Sequence, residues 1–253
     1  MSLILDRVFC PICGAAGGRL YAQVKHKIAP GGTASWVECP GCRLVYQPRL
    51  RRLSESVELD AGEARPYNPA DKKIQDYEQR WDEKRGGFRK RLERLTEGVA
   101  DGATVFEVGF GGGLLLRHLT ECGRFGRIAG VEVASQYVRH ATDCGYEAYW
   151  ADVSDSVPEA LQGAADAVVC NEVMEHVERP PDFVRGCLSM LKAGGIFRAS
   201  FAIPDHRDRM SASEWQYWRV ESIEALMKAL GQPAGRYTVR ASARVGYVRI
   251  ERQ

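Results

Sequence analysis

The sequence predicts an α/β protein: a seven-stranded, mostly parallel sheet with helices on both faces, preceded by a small cysteine-built module. Three observations carry this. Residues 104–113, TVFEVGFGGG, run from a short apolar stretch into glycines, and Leu114, Leu115, Leu116 and Leu119 follow at helical spacing. That pattern is a buried strand, a tight turn and a helix. Downstream, strand-like runs alternate with amphipathic helices and finish in two further strands, the order of a doubly wound sheet closed by an antiparallel pair. Ahead of all this stand Cys10-Pro-Ile-Cys13 and Cys39-Pro-Gly-Cys42, separated by 25 residues.

Bulk composition narrows the class. A chain of 253 residues suits one large domain, or a medium domain with an appendage, and 45% hydrophobic with 27% charged residues is ordinary for a globular protein. No apolar run approaches the ~18 residues that a membrane span needs. Asp6 and Arg7 interrupt the first nine residues, and no small-residue cleavage site follows. A secretory leader is therefore not expected, the expected location is cytoplasmic, and the eight cysteines are assigned to metal or core roles.

From the N-terminus, each CPxC knuckle is a turn that aims two thiolates at one point. Two knuckles complete a tetrahedral shell, so Cys10, Cys13, Cys39 and Cys42 predict a structural Zn²⁺, although iron fits the same donors. All four positions are filled by protein, leaving none open for catalysis. Strands are expected over 20–28 and 35–38 around a turn at 30–32, in a module over 1–48 too small to fold without its metal. Residues 49–70, charged and carrying Pro66 and Pro69, read as a linker.

Residues 71–253 form the main domain. Ile74, Tyr77, Trp81, Phe88, Leu92, Leu95 and Val99 lie on one helical face, with Gly86-Gly87 as a break. Tyr77 and Trp81 would line a pocket or, the commoner outcome for such a stripe, pack in the core. Strands are then expected at 127–131, 147–150, 165–170 and 196–201, and helices at 136–144, 183–191 and 222–230. Two last strands lie near 237–241 and 247–250. Trp215, Tyr217 and Trp218 either wall a pocket or pack on the sheet. Cys122, Cys144, Cys170 and Cys187 read as small core residues.

The glycine turn suits close backbone approach by a ligand. A dinucleotide is disfavoured twice over, since Leu114 stands where its fingerprint needs a third glycine. Glu107, at the end of the strand, would also repel a diphosphate while suiting a cation.

The stretch resembles motif I of the class I S-adenosylmethionine (AdoMet)-dependent methyltransferases, with their Rossmann-like sheet. The resemblance continues in order over about 100 residues. Gly130-Val131-Glu132 resembles the second strand end, with its acidic residue 25 positions after Glu107, and Trp150-Ala151-Asp152-Val153 the third. Asp166 to His176, DAVVCNEVMEH, is similar to the fourth strand and its turn. Leu191-Lys192-Ala193-Gly194-Gly195 is similar to the turn into strand five, with Ala193 where proline is common. The resemblance implies AdoMet bound by Glu107, Gly109, Phe110, Gly111, Gly113, Glu132, Val133, Asp152, Val153 and Asn171. In it, Glu132 takes the ribose hydroxyls, and Asp152 with the next amide takes adenine.

Acceptor chemistry is less sharply encoded. Residues 172–177, EVMEHV, resemble the corresponding run of ubiquinone-biosynthesis O-methyltransferases. The Asn/Asp-Pro-Pro-aromatic tetrad of planar-nitrogen methyltransferases is missing, and Cys170 does not follow a proline. Oxygen, or a flexible amine, is the expected acceptor atom. Transfer from a sulfonium depends chiefly on alignment, and a base matters only where the acceptor must lose a proton. His176 and His206 are the candidates; His176 alternatively fixes its turn, and His206 alternatively sits in a solvated polar loop. A small molecule or saccharide is the expected acceptor, with oligomeric state left open. The alternative is an RNA methyltransferase docked through the ribbon and Arg43, Arg49, Arg51 and Arg52. Residues 1–52 carry eight Lys/Arg against two Asp/Glu, +6 in a chain of net +2, which leaves −4 elsewhere. Four thiolates and Zn²⁺ lower that excess to about +4, a modest value for a nucleic-acid surface. A non-catalytic scaffold is the third reading, and the intact strand-end residues speak against it.

Overall fold

A computed structural model of the chain describes residues 9–25, 33–48, 87, 89–204, 210, 214–241 and 245–252. The expected linker, the helical face from Ile74 to Phe88, the 30–32 turn, His206 and Arg49, Arg51 and Arg52 lie outside them. The chain divides into two compact units. One comprises Met1–Ser56, Glu172–Pro181 and Ser200–Arg249; the other comprises Val57–Asn171, Asp182–Ala199 and Ile250–Gln253.

In chain order the elements are β1 (Arg19–Lys25), β2 (Thr33–Glu38), β3 (Val45–Tyr46), β4 (Thr104–Val108), α1 (Leu114–Glu121), β5 (Arg127–Glu132), α2 (Ser135–Asp143) and β6 (Glu147–Trp150). They continue with β7 (Ala165–Asn171), α3 (Pro180–Ser189), β8 (Leu191–Ala202), β9 (Gln216–Tyr217), α4 (Val220–Ala229), β10 (Tyr237–Ala241) and β11 (Val245–Glu251). The large sheet has the expected seven strands, in the order β10-β11-β8-β7-β4-β5-β6. β4 pairs in parallel with β5 and with β7, and β5 pairs in parallel with β6, so these four strands end on one edge. Among the described residues no helix is long and apolar enough to cross a membrane.

The core of this sheet follows from its apolar runs. Val105, Phe106 and Val108 of β4 are buried, as are Val168, Val169 and Cys170 of β7. Leu114, Leu115, Leu116 and Leu119 bury one face of α1. In the preceding segment residues 89–95 are helical, and Leu92, Leu95 and Val99 are buried as their spacing predicted. Phe110 lies across Gly130, where a Cβ would fall 2.5 Å from the ring. That approach explains the glycine at the centre of β5.

Two boundaries differ from expectation. α3 begins at Pro180 rather than Phe183, because prolines are tolerated in a first turn whose N–H groups lack helical partners. Residues 191–195 are not a turn into the fifth strand but its first half. Gly194 N–H donates to the Arg252 carbonyl and Arg252 N–H to the Gly195 carbonyl, so two residues face one across the ladder, with Gly194 at a left-handed φ of 76°: the glycine pair forms a bulge within the strand.

The second sheet has the order β1-β2-β3-β9. β1 and β2 pair antiparallel from Arg19↔Glu38 to Lys25↔Thr33. β9 pairs antiparallel with β3 through Val45↔Tyr217 and Tyr46↔Gln216. Trp36, Ala22, Ala34, Val45, Met210 and Tyr217 form its core, with the Trp36 and Tyr217 rings edge to face at 6.3 Å. Trp218 is buried with its ring tilted against Phe201, so these C-terminal aromatics pack as core.

Candidate functional site

The carboxyl ends of β4, β5, β6 and β7 bring together the residues singled out in the sequence. Glu107 stands near the end of β4, opposite Gly130 on one side and Val169 on the other. The next residues turn sharply: Gly109, Gly111 and Gly113 have φ of 74°, 50° and 79°, left-handed values that side chains rarely tolerate. A Cβ at Gly111 or Gly113 would meet nothing within 4 Å. Conformation therefore demands these glycines, and the space beside the turn is open. Gly109 N–H is anchored on the Val131 carbonyl at 2.7 Å, tying the turn to the end of β5.

Glu132 organises the same turn. Its Oε2 accepts Gly111 N–H at 2.8 Å, and its Oε1 accepts Val133 and Ala134 N–H at 2.8 and 3.0 Å. Glu107 is 2% exposed, and its Oε2 has no hydrogen-bond partner. Burial first, and then the Glu132 charge, push the Glu107 carboxyl up to about 8. A buried carboxyl with an orphaned oxygen is costly unless a donor or cation completes it. The sulfonium and ammonium of AdoMet are such cations, so the residues fit that cofactor.

The β6 end adds a second turn. Ala151 N–H donates to the Glu132 carbonyl, and Asp152 Oδ1 accepts Ser154 N–H at 2.8 Å while its carbonyl caps Asp155 and Ser156. Val153 is buried, and its carbonyl would lie 2.0 Å from a Cβ at Gly186, so α3 seats directly on this turn. Trp150, 70% exposed, donates its indole N–H to the Val133 carbonyl. Asn171 closes β7. Phe110, expected at the cofactor, turns its ring into the cluster of Leu116 and Ala141 and offers its carbonyl to Gly113 N–H.

In the other unit, Met174–His176 is one short 3₁₀ turn. His176 is half-buried, and its N–H donates to the Val173 carbonyl at 2.8 Å. Glu172 adopts φ 55° with its N–H on Ser200 Oγ at 3.0 Å. The sequence assigned no role to Glu175, yet it is buried with Oε2 unpartnered, and burial pushes it up to about 8. No sequence signal marked Gln216 either. Its amide nitrogen donates to the Met174 and Val177 carbonyls.

The cysteine module has the donor geometry its spacing promised. The Sγ atoms of Cys10, Cys13, Cys39 and Cys42 all lie within 4.8 Å of one another. Cys10–Cys42 and Cys13–Cys39 stand at 3.5 Å, close to the ~3.8 Å edge of a tetrahedron with Zn–S of about 2.3 Å. None of the eight cysteines is in a disulfide. Knuckle amides point at sulfur: Ile12 N–H at Cys10, and Gly41 and Cys42 N–H at Cys39. A Cβ on Gly41 would sit 3.2 Å from Cys13 Sγ, so the second knuckle packs closely against the first at this glycine. The Cys42 hydrogen bond pulls Cys10 down to about 5, and the same bond pushes Cys42 up.

Comparison with known proteins bears on this geometry. A family profile described as "Methyltransferase domain" matches residues 78–229. The ubiquinone biosynthesis O-methyltransferase of Xanthomonas axonopodis pv. citri (strain 306) is 33% identical over 99 residues, 37% of this chain and 41% of that protein. The chain thus spans about two fifths of the length of the curated relatives it matches. Among solved structures, a SAM-dependent methyltransferase from Aquifex aeolicus superposes with TM-score 0.54 at 15% identity, covering 70% of this chain and 97% of that one. Phosphoethanolamine N-methyltransferase 2 of Haemonchus contortus, solved with S-adenosyl-L-methionine, gives 0.60 at 12% identity over 82% and 61%. The structural likenesses establish the fold, and the profile covers more than half of the sequence. The chain belongs to the class I S-adenosylmethionine-dependent methyltransferase family.

Proposed function

We propose that the protein transfers the methyl group of AdoMet to an oxygen of a small-molecule or saccharide acceptor. The observation that carries the reading is the pairing of orphaned, buried Glu107 with Glu132 around an open glycine turn. That pair favours a ligand bearing positive charge and hydroxyls over a phosphate. Bound AdoMet would supply an activated methyl on sulfur. The protein's share is then alignment and exclusion of water. Glu107 would hold the amino-acid end, Glu132 the ribose, and Asp152 with Val153 the adenine. His176, on the turn after β7, is placed in sequence to accept the acceptor's proton or to fix that turn. The four cysteines would hold a structural Zn²⁺.

Oxygen as acceptor atom is supported by the O-methyltransferase relatives and by the EVMEHV run. Of the four arginines on which the RNA reading rests, Arg43 lies among the described residues, and it is paired with Glu38 at 3.1 Å and Glu221 at 3.0 Å. An arginine already paired with carboxylates is less available to a phosphate.

Calorimetry with S-adenosylhomocysteine tests the reading. Binding in the micromolar range or tighter, about −8 kcal/mol, is expected. Glu132→Ala removes the acceptor of three backbone N–H groups as well as the ribose contact, so affinity should fall at least ~100-fold. Wild-type protein that does not bind, or a variant with unchanged affinity, refutes the assignment.

A further inference from the structure

β9 is a strand of two residues, too short to persist alone, and it is held from both sides. On one side the ribbon grips it. Besides the Val45 and Tyr46 pairing, Gln47 N–H donates to the Trp215 carbonyl at 2.8 Å. Trp36 Nε1 and Gln47 Nε2 both donate to the Glu214 carbonyl, at 3.2 and 3.0 Å. On the other side β9 grips the turn after β7. Trp215 N–H donates to the Glu175 carbonyl at 2.8 Å, and Gln216 Nε2 donates to Met174 and Val177 at 3.1 and 2.5 Å. Gln216 is fully buried, so those carbonyls have no water to replace it.

We propose that Gln216 is a positioning residue, through which the metal-loaded ribbon sets the geometry of the turn bearing Glu175 and His176. The chain of contacts is short. Cys39 N–H closes on the Leu44 carbonyl at 2.8 Å, so the second knuckle runs straight into β3. β3 carries β9, and Gln216 carries the turn. That turn needs a brace, because Glu172 is held in a left-handed conformation costly for a residue with a side chain. Without metal the small ribbon loses its organising centre, β9 loses its pairing partner, and the turn loses its donors. The role given to the turn rests on the methyltransferase reading, and the coupling rests on the zinc proposed for the four cysteines.

The test uses the full-length protein, zinc-loaded or stripped by chelation, and the Gln216→Leu variant. Hydrogen exchange should quicken about tenfold or more at residues 173–178 in both the stripped protein and the variant. In zinc-loaded Gln216→Leu the amides of β1 and β2 should stay protected and the zinc retained. The His176 imidazole resonances, assigned with His176→Gln, should shift or broaden in both. Affinity for S-adenosylhomocysteine should change by less than about twofold, since the residues assigned to it lie in the other unit. Should the variant shed its zinc, the stripped wild-type protein decides the matter. Unaltered exchange at 173–178 and unaltered His176 signals overturn the proposal. A wild-type protein that shows the coupling but binds no S-adenosylhomocysteine refutes the methyltransferase reading instead.

Discussion

Glu107 combines burial, an orphaned oxygen and a neighbouring negative charge, and each raises the cost of its ionisation. With its proton held up to about 8, it is largely neutral at neutral pH. A cationic ligand beside it reverses the balance, so binding must expel that proton. The linkage has a definite sign: below about pH 8 the affinity for AdoMet should rise with pH, by at most about tenfold per unit, and level off above. Calorimetry in buffers of differing ionisation enthalpy should register about one proton released per cofactor at neutral pH. Glu107→Gln, which cannot ionise, should bind more weakly and without this pH dependence. An affinity that is flat in the wild type between about pH 6 and 8 would remove Glu107 from the cofactor's charged end. Glu107 was legible in the sequence because a carboxylate ending an apolar strand is costly to bury unless a ligand meets it.

Elements meet where side chains are missing. At Gly130 of β5 the Phe110 ring occupies the position of a Cβ, and the ring itself is buried against Leu116 and Ala141. Gly130→Ala should therefore cost about 1–3 kcal/mol of stability, an overpacking penalty. Adding Phe110→Leu should recover most of it, and a double-mutant cycle of thermal unfolding measures the coupling; strictly additive losses would deny the contact. Contacts of this kind leave no trace in local sequence. Strand and helix positions follow from local periodicity, and β4 to β7 fall where apolar runs place them. β9 has no such signal: Gln216 reaches carbonyls 42 and 39 positions back, and its strand partner is Tyr46. The first half of β8 departs from expectation for a related reason, since pairing with the distant Arg252 turns the left-handed Gly194 and its neighbour Gly195 into a bulge within a strand rather than a turn ahead of one. The cysteines are the opposite case, because paired CPxC spacing is itself the local geometry of a knuckle.

At the scale of the whole molecule, two buried carboxyls set how stability answers to pH. Glu107 in one unit and Glu175 in the other are each pushed from the ordinary 4.5 up to about 8, in both cases chiefly by burial. Such groups hold their protons more tightly folded than unfolded. Their stabilising contribution is thus complete below about pH 4.5 and is lost as pH rises toward 8, because the unfolded chain releases protons that the folded chain keeps. Cofactor-free protein should therefore unfold at progressively lower temperature between about pH 5.5 and 8, against a background of carboxylate pairs such as Arg127–Glu147 that strengthens above acidic pH. Glu175→Gln and Glu107→Gln should each flatten the decline, and the double variant should flatten it most. AdoMet separates the two groups, since it should relieve the burden at Glu107 and leave that at Glu175 untouched. Scanning calorimetry across this range, with and without cofactor, makes the comparison. A wild-type profile that rises steadily to pH 8, or a cofactor effect that persists unchanged in Glu107→Gln, would show that these carboxyls do not govern the pH response.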